Sequence, residues 1–561
     1  MSAINHAIQQ TRNTIASFFF ILSLIISEAH SNTNVPYQPL ASDTSPYQAS
    51  ITVNLAQTNS TNKRLLGNNT QWVDRGDELL LPDSTEFSPS ILEKVKALSP
   101  SVLRYPGGSL SDLYHWENGM GELKDRKKLS FFHQDGEDTV LFGTEEFLRL
   151  CHLVGAEPLL TVNIVTAPPE EVTAWIKAIN IDRLVSDDTL LPKVDFVEIG
   201  NEPYLIDDNQ KSLAITPQEY AKRASILVSQ LRAIDPSLKI GIPLRSDDFD
   251  GVPVTPMPGF NTEVLKGFSG KIDFVSLHNT YFPFFWDTIP TSKEQIYLAL
   301  MAAIHVVKKD LSRTRLQLSS LRNEPSIPIA ITELNSMFSI GKGETDGYIQ
   351  TLAGAMYIAD LLTMLSQEPN ILMANFWSLT GNWEFGAIDQ TGGERASFKV
   401  LAKFHEMLEG KHVETKVNSP SFDIIGTGAI APQNEVNYIS ALGSISEKGL
   451  ESSLLKLWVI NKHPVKPVNL SLTSDHAFTG QNINVTTLTT NNYFSKTEAE
   501  QMVWQEEIFN NHKSAYITLK PHSINLISID LPASSPPLSP TLELSQFSNP
   551  NTYAVKGSTK S

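Results

Sequence analysis

The sequence predicts an α/β fold, a (β/α)8 TIM barrel with a C-terminal β-sandwich domain. Between residues 50 and 411, short apolar runs alternate with helix-patterned segments, which is typical of successive βα units. From residue 412 to residue 532 the pattern changes to alternating β-branched and polar residues with no long helical stretch, which favours a β-sandwich. The chain has 561 residues, of which 41% are hydrophobic, and this is enough for both domains. A doubly wound open sheet is the alternative for the first region.

Eight apolar runs are the predicted barrel strands. They lie at 65–67, 102–104, 158–163, 195–199, 239–243, 273–277, 328–332 and 371–377. The helices between them have recognisable starts. Thr216 is followed by a proline at the first helical position and by Glu219 at the third, and Ser292 and Gln295 repeat this capping pattern. Eight such units predict a barrel with insertions.

The N-terminal segment, residues 1–31, has the pattern of an export signal. Arg12 lies in a polar leader, an apolar stretch runs from Ile15 to Ile26, and Ala29 and Ser31 are small residues at the alternate positions that a signal peptidase favours. The stretch is shorter than the about 20 residues of a transmembrane helix. We therefore expect a secreted or periplasmic protein whose mature chain does not insert into a membrane, with an uncleaved anchor as the alternative.

Two further segments flank the predicted domains. Residues 48–56 alternate like the sandwich strands and are a candidate additional strand of that domain. Residues 533–561 are rich in Ser, Pro, Thr and Asn, which predicts a disordered tail.

Charge and cysteine content exclude several classes of partner and site. The net charge is −17, which repels nucleic acid and anionic lipid surfaces. Cys151 is the only cysteine, so the chain forms neither an intrachain disulfide nor a cysteine-based zinc site. Its apolar flanks predict a buried structural thiol.

Polar and aromatic side chains follow most of the predicted strands, at the end of a barrel where active sites lie. Two of them are carboxylates, Glu202 after the fourth strand and Glu333 after the seventh, and they can face each other across the barrel mouth. A separation of about 5–5.5 Å suits retaining glycoside hydrolysis, with one acid/base and one nucleophile, whereas roughly 6.5–9.5 Å suits inversion.

Other uses of these strand ends find less support in the sequence. No His-Glu-x-x-His run occurs, and no histidines pair at metal-ligand spacing beside the strand ends, so we expect no metal. The chain also lacks a Walker lysine, a Gly-x-Gly-x-x-Gly loop and a Gly-x-Ser-x-Gly elbow. We expect no cofactor.

Seven stretches of the sequence resemble the α-L-arabinofuranosidases of glycoside hydrolase family 51, within the clan A hydrolases that place both catalytic glutamates on the fourth and seventh barrel strands. The stretches are LRYPGG at 103–108 with YHWENGMG at 114–121, FGTEEFLRLCHLVGAEPLLTVN at 142–163, VEIGNEPY at 197–204, DFVSLHNTY at 273–281, IAITELN at 329–335 and ERASFKVLAKFHEMLEG at 394–410. Together they span the predicted barrel, and the family also implies the following β-sandwich.

By this resemblance Glu202 is the acid/base and Glu333 the nucleophile. Asn201 is expected to hold the sugar hydroxyl next to the reacting carbon. Arg104 is expected to orient Glu333 and keep it ionised, and Tyr281 to donate a hydrogen bond to Glu333.

The resemblance further implies that His278, Asn163 and Trp377 line the pocket, with Trp377 as an apolar platform for a sugar face. Simpler alternatives remain open: His278 as a satisfied strand-end histidine, Trp377 as core packing, and Arg104 in an internal salt bridge only.

The sequence departs from the family pattern in the region that recognises the sugar. The first strand ends in GNNTQW at 67–72, where the family usually offers a glutamate. Ser109 stands where an asparagine is usual, and Thr332 and Leu334 replace the usual Asp and aromatic residue beside the nucleophile. The residues that would recognise a different glycone are Asn69, Gln71 and Trp72.

These observations predict a secreted retaining glycoside hydrolase, arabinofuranosidase-like, that cleaves oligo- or polysaccharide by double displacement. Alternatives are an endo-acting clan A glycosidase of the endoglucanase or endo-glucuronidase type, and a catalytically silent carbohydrate-binding protein. The net charge of −17 argues mildly against anionic chains. The sandwich is expected to buttress the barrel, and the family resemblance leaves room for a dimer or a hexamer.

Overall fold

A computed structural model describes most of the chain. The described residues are 44–131, 136–186, 188–204, 215–246, 259–286, 292–340, 348–381, 383–428, 430–448, 452–474, 482–510 and 516–532. The predicted export signal and the predicted tail lie outside these residues.

Eight parallel strands close into a barrel, and an α-helix follows each strand. The strands are β1 (Gly67–Asn69), β2 (Val102–Tyr105), β3 (Glu157–Val162), β4 (Phe196–Ile199), β5 (Lys239–Pro243), β6 (Phe274–Leu277), β7 (Ile329–Leu334) and β8 (Ile371–Phe376). The helices are α1 (Pro89–Leu98), α2 (Thr144–Val154), α3 (Pro169–Lys177), α4 (Pro217–Ile234), α5 (Phe260–Gly267), α6 (Lys293–Arg322), α7 (Leu352–Leu365) and α8 (Ala396–Phe404).

The pairing of the last barrel strand with the first confirms the predicted barrel. Asn375 of β8 is the register partner of Gly67 of β1, so the alternative of an open sheet is wrong. Cys151 lies in α2 as a free, buried thiol, as predicted.

The predicted helix starts differ in how completely they are capped. Ser292 and Gln295 at the start of α6 bond each other's backbone amide, at 3.1 and 2.9 Å. At the start of α4 the Thr216 hydroxyl accepts the Glu219 amide at 3.2 Å. The Glu219 side chain does not return this bond but accepts from Arg223 at 2.8 Å.

The inside of the barrel is built from two layers of side chains, two residues apart along the strands. Because successive side chains of a strand point to opposite faces, residues i and i+2 share the interior. We define the lower layer as Val102, Leu159, Phe196, Phe274, Ala330 and Met373, which form one buried apolar cluster. We define the upper layer as Arg104, Thr161, Glu198, Ser276, Thr332 and Asn375, all fully buried.

The C-terminal region forms a nine-stranded sheet with the N-terminal strand Tyr47–Ser60, which contains the candidate strand 48–56. Its other strands are β9 (Lys411–Asn418), β10 (Ile439–Glu447), β11 (Ser452–Asn461), β12 (Val468–Ser474), β13 (Asn482–Leu488), β14 (Gln505–Asn510), β15 (Tyr516–Leu519) and β16 (Ser523–Pro532). The order is β14-β13-β16-β11-β10-β9, then the N-terminal strand, then β12-β15. Strands from both ends of this order contribute to one apolar core, so the sheet folds over on itself as the predicted sandwich.

Helix α7 joins the two domains. All of its residues are buried, as expected of a helix that is apolar all round and covered on both sides. Asp360 of α7 forms a buried ion pair with Lys462 of the sandwich, at 3.0 Å. Among the described residues no helix combines the length and the apolar character needed to cross a membrane.

Candidate active site

Glu202 and Glu333 lie at the same end of the barrel, where β4 and β7 finish. The chain turns sharply at Gly200, which has φ +81°, a conformation that a glycine adopts without steric cost. A β-carbon there would lie 2.6 Å from Ile164. The glycine thus lets Asn201 and Glu202 follow directly from the strand into the barrel mouth.

The two carboxylates share a neighbour, His278, at the end of β6. Its Nδ1 atom lies 3.2 Å from Oε1 of Glu202 and 3.8 Å from Oε1 of Glu333. These two distances limit the gap between the two oxygens to about 7 Å. Their side chains keep 11% and 13% exposure, so each carboxylate is accessible at the mouth while its surroundings are buried.

Arg104 connects the upper layer to both predicted functional strands. Its Nη1 donates to Oε1 of Glu333 at 2.9 Å and to Oδ1 of Asn69 at 3.0 Å. Its Nη2 donates to Oδ1 of Asn201 at 2.7 Å, and its Nε donates to Glu198 at 2.8 Å. Arg104 therefore holds Glu333 as expected and also forms the internal ion pair that was the alternative.

Glu198 is a third carboxylate that the sequence analysis did not single out. It accepts hydroxyl hydrogen bonds from Thr161 and Thr332, both at 2.8 Å. Burial alone would raise its pKa, but the charge of Arg104 and the neighbouring His278 hold the pKa of Glu198 well below its usual range. The sequence contained a signal for this residue. Glu198 lies two residues after Phe196 in a predicted strand, so strand alternation places both side chains on the same, interior face.

His278 is held in a ring of carboxylates. It is 2% exposed, and its Nε2 lies 2.6 Å from the Thr332 hydroxyl. Burial alone would lower its pKa, but Glu333, Glu198 and Glu202 together raise the pKa of His278 to about 10. The structure therefore places a charged imidazolium beside both predicted catalytic residues.

The same charges act on Glu333. Burial raises the pKa of Glu333, and the positive charges of His278 and Arg104 counter that rise. Both cations stabilise the ionised form that a nucleophile needs.

Trp377 lies next to Glu333 and is 8% exposed. A β-carbon at Gly108 would lie 3.0 Å both from the Trp377 ring and from Oε1 of Glu333. The glycine thus allows the β2 loop to pass close to the nucleophile, and it leaves the ring of Trp377 beside the site.

The side chain of Asn163 forms hydrogen bonds with the turn that follows β3. Its Oδ1 accepts the amides of Val165, Thr166 and Ala167 at 2.9–3.2 Å, and its Nδ2 donates to the Tyr114 carbonyl at 3.1 Å. These bonds order the turn after β3, and none of them reaches Glu202 or Glu333. A substrate contact by Asn163 stays a prediction.

The expected hydrogen bond from Tyr281 to Glu333 is wrong. Residues Asn279–Tyr281 form a 3-10 turn that directs this side chain into the core. Burial first and the nearby Asp310 of α6 second raise the pKa of Tyr281. Tyr204 instead reaches one of the two carboxylates, since its hydroxyl donates to Oε1 of Glu202 at 3.4 Å.

The end of β1 is less accessible than its sequence suggested. Trp72 is fully buried and donates from its ring to the Leu110 carbonyl at 3.3 Å, so a role in recognising the glycone is wrong. Asn69 is likewise fully buried beneath Arg104. Gln71 donates to the buried carboxyl of Asp77 at 3.2 and 3.3 Å.

Within the described ranges no group of three or more His, Cys, Asp or Glu side chains is arranged to hold a metal ion. What the arrangement offers is two accessible carboxylates on opposite strands, with cations and hydroxyl donors behind them. Carboxylates in such surroundings can act in general acid/base and nucleophilic chemistry.

Comparisons with known proteins agree with the motifs. Residues 94–187 match the model of the "Alpha-L-arabinofuranosidase 1 domain", a stretch that contains Arg104 and Asn163 and ends before Glu202. Alpha-L-arabinofuranosidase C of Emericella nidulans is 32% identical over 171 residues, which are 28% of this chain and 33% of that protein. The intracellular exo-alpha-L-arabinofuranosidase of Bacteroides ovatus is 32% identical over 143 residues, 24% of this chain and 27% of that protein.

The structural likeness extends over nearly the whole described chain. The thermostable GH51 alpha-L-arabinofuranosidase of Thermotoga petrophila RKU-1 superimposes with a TM-score of 0.70 at 22% identity, covering 86% of this chain and 100% of that one. The curated relatives are matched over at most a third of their own length. Together the comparisons confirm the predicted resemblance and the predicted fold.

Proposed function

We propose that this protein is a retaining glycoside hydrolase that acts on α-L-arabinofuranosides. The observation that carries the proposal is the shared position of Glu202 and Glu333, whose Oε1 atoms both lie within 3.8 Å of His278 Nδ1. The resulting limit of about 7 Å between these oxygens is compatible with the about 5–5.5 Å spacing of retaining enzymes.

In the first step the ionised carboxylate of Glu333 attacks the anomeric carbon while Glu202 gives its proton to the leaving oxygen. The glycosidic bond breaks and a covalent glycosyl-enzyme forms. In the second step Glu202 takes a proton from water, whose oxygen attacks the same carbon and releases Glu333. Arg104 holds Glu333 at 2.9 Å and also binds Asn201, the residue that we propose contacts the sugar hydroxyl beside the reacting carbon.

The choice of an arabinofuranoside rests on the names of the relatives, which include arabinofuranosidases of Emericella nidulans, Bacteroides ovatus and Thermotoga petrophila. The test is hydrolysis of aryl α-L-arabinofuranoside, β-D-xyloside, β-D-glucoside and β-D-glucuronide by wild type and by Glu333→Ala. We expect wild-type activity on the arabinofuranoside, loss of that activity in the variant, and retention of anomeric configuration in the first product seen by proton NMR.

Each other outcome overturns a stated part of the proposal. Activity on a different glycoside that is lost in Glu333→Ala rejects the glycone and keeps the nucleophile. Full activity of Glu333→Ala rejects the nucleophile, and an inverted product rejects double displacement. Activity on polysaccharide alone favours the endo-acting alternative.

We also propose that the protein is exported, supported by the pattern of residues 1–31. Export would distinguish it from the Bacteroides ovatus relative, which is named intracellular. Mass spectrometry of the full chain after expression should find a mature N-terminus near residue 32 in the extracytoplasmic fraction, and an uncleaved chain in the cytoplasm would contradict export.

A further inference from the structure

Thr332 and Glu198 are fully buried. They lie behind His278, linked to it through the Thr332 hydroxyl. We propose that they are positioning residues, which keep a proton on Nε2 of His278 so that its Nδ1 shares the reaction's proton with Glu202. This inference rests on the proposed function, because Glu202 is there the acid/base.

The direction of the hydrogen bonds follows from the number of protons available. The Thr332 hydroxyl has one proton and donates it to Oε1 of Glu198 at 2.8 Å. Glu198 is an acceptor only when ionised, and its lowered pKa keeps it ionised. The oxygen of Thr332 must therefore accept the short 2.6 Å bond from His278, and that bond needs a proton on Nε2.

With Nε2 committed, Nδ1 is the ring atom that exchanges its proton. It lies 3.2 Å from Oε1 of Glu202 and 3.8 Å from Oε1 of Glu333, which is the place where the acid/base needs a proton donor or acceptor. The proton that His278 gives up at alkaline pH is therefore the one on Nδ1, beside Glu202.

The charged groups that face His278 come from strands β4 and β7. Strand β4 and the turn after it contribute Glu198 and Glu202, and β7 contributes Glu333. Arg104 of β2 lies behind Glu198 and Glu333 and pairs with both. The surroundings are therefore anionic toward the ring, and they favour its protonated form.

This arrangement makes sense of one departure from the family pattern. Thr332 stands where an aspartate is usual beside the nucleophile, and Glu198 supplies a buried carboxylate from the opposite strand through the Thr332 hydroxyl. The hydroxyl of Thr332 thus links the carboxylate of Glu198 to the ring of His278.

The experiment compares two isosteric changes, Thr332→Val and Thr161→Val. Both threonines are fully buried, and each donates one 2.8 Å hydrogen bond to Glu198. Only Thr332 also bonds His278, so Thr161→Val is a matched control for the loss of a buried hydroxyl beside Glu198.

We expect Thr332→Val to move the alkaline limb of kcat/KM to lower pH by roughly one unit, the size expected when a charged donor loses its acceptor. The sign follows because the protonated ring is destabilised and gives up its proton at lower pH. Thr161→Val should leave the alkaline limb at the wild-type pH. Thr332→Ser keeps the hydroxyl and should also show the wild-type limb.

A second readout does not need activity. In protein labelled with 15N-histidine, the His278 signal, identified by its loss in His278→Gln, should show Nε2 protonated in wild type and should titrate at lower pH in Thr332→Val. An unchanged titration in Thr332→Val, or an equal shift in Thr161→Val, overturns the inference. If wild type hydrolyses none of the glycosides, the proposed function fails, while the ring titration still decides this inference.

Discussion

The lower and upper layers of the barrel lie on the same strands and are equally buried, but their chemistry is opposite. The lower layer is apolar and packs as one cluster. Two residues further along, the upper layer holds the ion pair of Arg104 and Glu198 at 2.7 Å, with no side-chain exposure on either partner. One repeat of the strand pleat thus separates the part of the barrel that stabilises the fold from the part that holds the proposed catalytic groups.

The difference has an energetic reason. Burial of apolar side chains is the main favourable contribution to folding, whereas a buried ion pair often contributes little net stability because desolvation opposes the attraction. The hydrogen bonds of the upper layer instead orient Glu333, Asn201 and His278. Mutations in the two layers should therefore affect different properties.

The largest expected effect on stability comes from the lower layer. Phe274 is fully buried beside the ring of Phe196 and over Gly241. Phe274→Ala leaves a cavity in this layer and should lower the free energy of unfolding by about 3–5 kcal/mol, measured by urea denaturation. At a temperature where the variant is folded, kcat/KM should stay close to the wild-type value, and a loss of activity with unchanged stability would contradict the division between the layers.

A smaller effect is expected at Asp112, on the turn Ser109–Leu113 beside the upper layer. It is 9% exposed, and burial raises the pKa of Asp112 to about 7. The folded protein thus binds this proton more tightly than the unfolded chain, so the contribution to stability is present below the ordinary aspartate pKa and is lost as pH rises toward 7.

Asp112→Asn stays neutral at every pH and removes this dependence. Its Tm relative to wild type should therefore be higher at pH 8 than at pH 4, as measured by calorimetry at both values. An equal difference at the two pH values would mean that the carboxyl of Asp112 is ionised without cost, and that charge beside the upper layer does not reduce stability.

The smallest effect separates two fully buried tyrosines at the barrel mouth. Tyr204 donates to Glu202 at 3.4 Å, whereas the buried hydroxyl of Tyr281 has no hydrogen-bond partner among the described residues. Tyr204→Phe should lower kcat by roughly two- to tenfold, as for the loss of one weak hydrogen bond, and Tyr281→Phe should leave kcat near the wild-type value. A larger loss in Tyr281→Phe would restore the contact with Glu333 that the structure does not support.

Much of the site could be predicted because its signals are local. Glu202 and Glu333 each follow an apolar run directly, and a barrel brings all such strand ends to one face. Glu198 was within reach of the same argument, since strand alternation places it on the interior side. The position of Arg104 beside Glu333 was instead predicted from the family resemblance.

The burial of the two tryptophans and the contacts of the two tyrosines depend on which distant segments pack against each side chain. Trp72 follows a strand end as Trp377 does, yet one is fully buried in the core and the other lies beside Glu333. Tyr281 and Tyr204 each come a few residues after a strand, and only the path of the turn decides which hydroxyl reaches a carboxylate. Neither outcome is encoded in the spacing of residues along one strand.

The sequence by itself determined the eight strands, the change to a sandwich and the two glutamates at strand ends, because periodicity and turn residues act over a few positions. Only the tertiary structure decided that Glu198, Thr332 and His278 form one chain of hydrogen bonds. Those three residues come from different strands, and the closure of the barrel, with β8 pairing to β1, sets their distances. Packing between distant segments therefore placed the groups that surround Glu202 and Glu333.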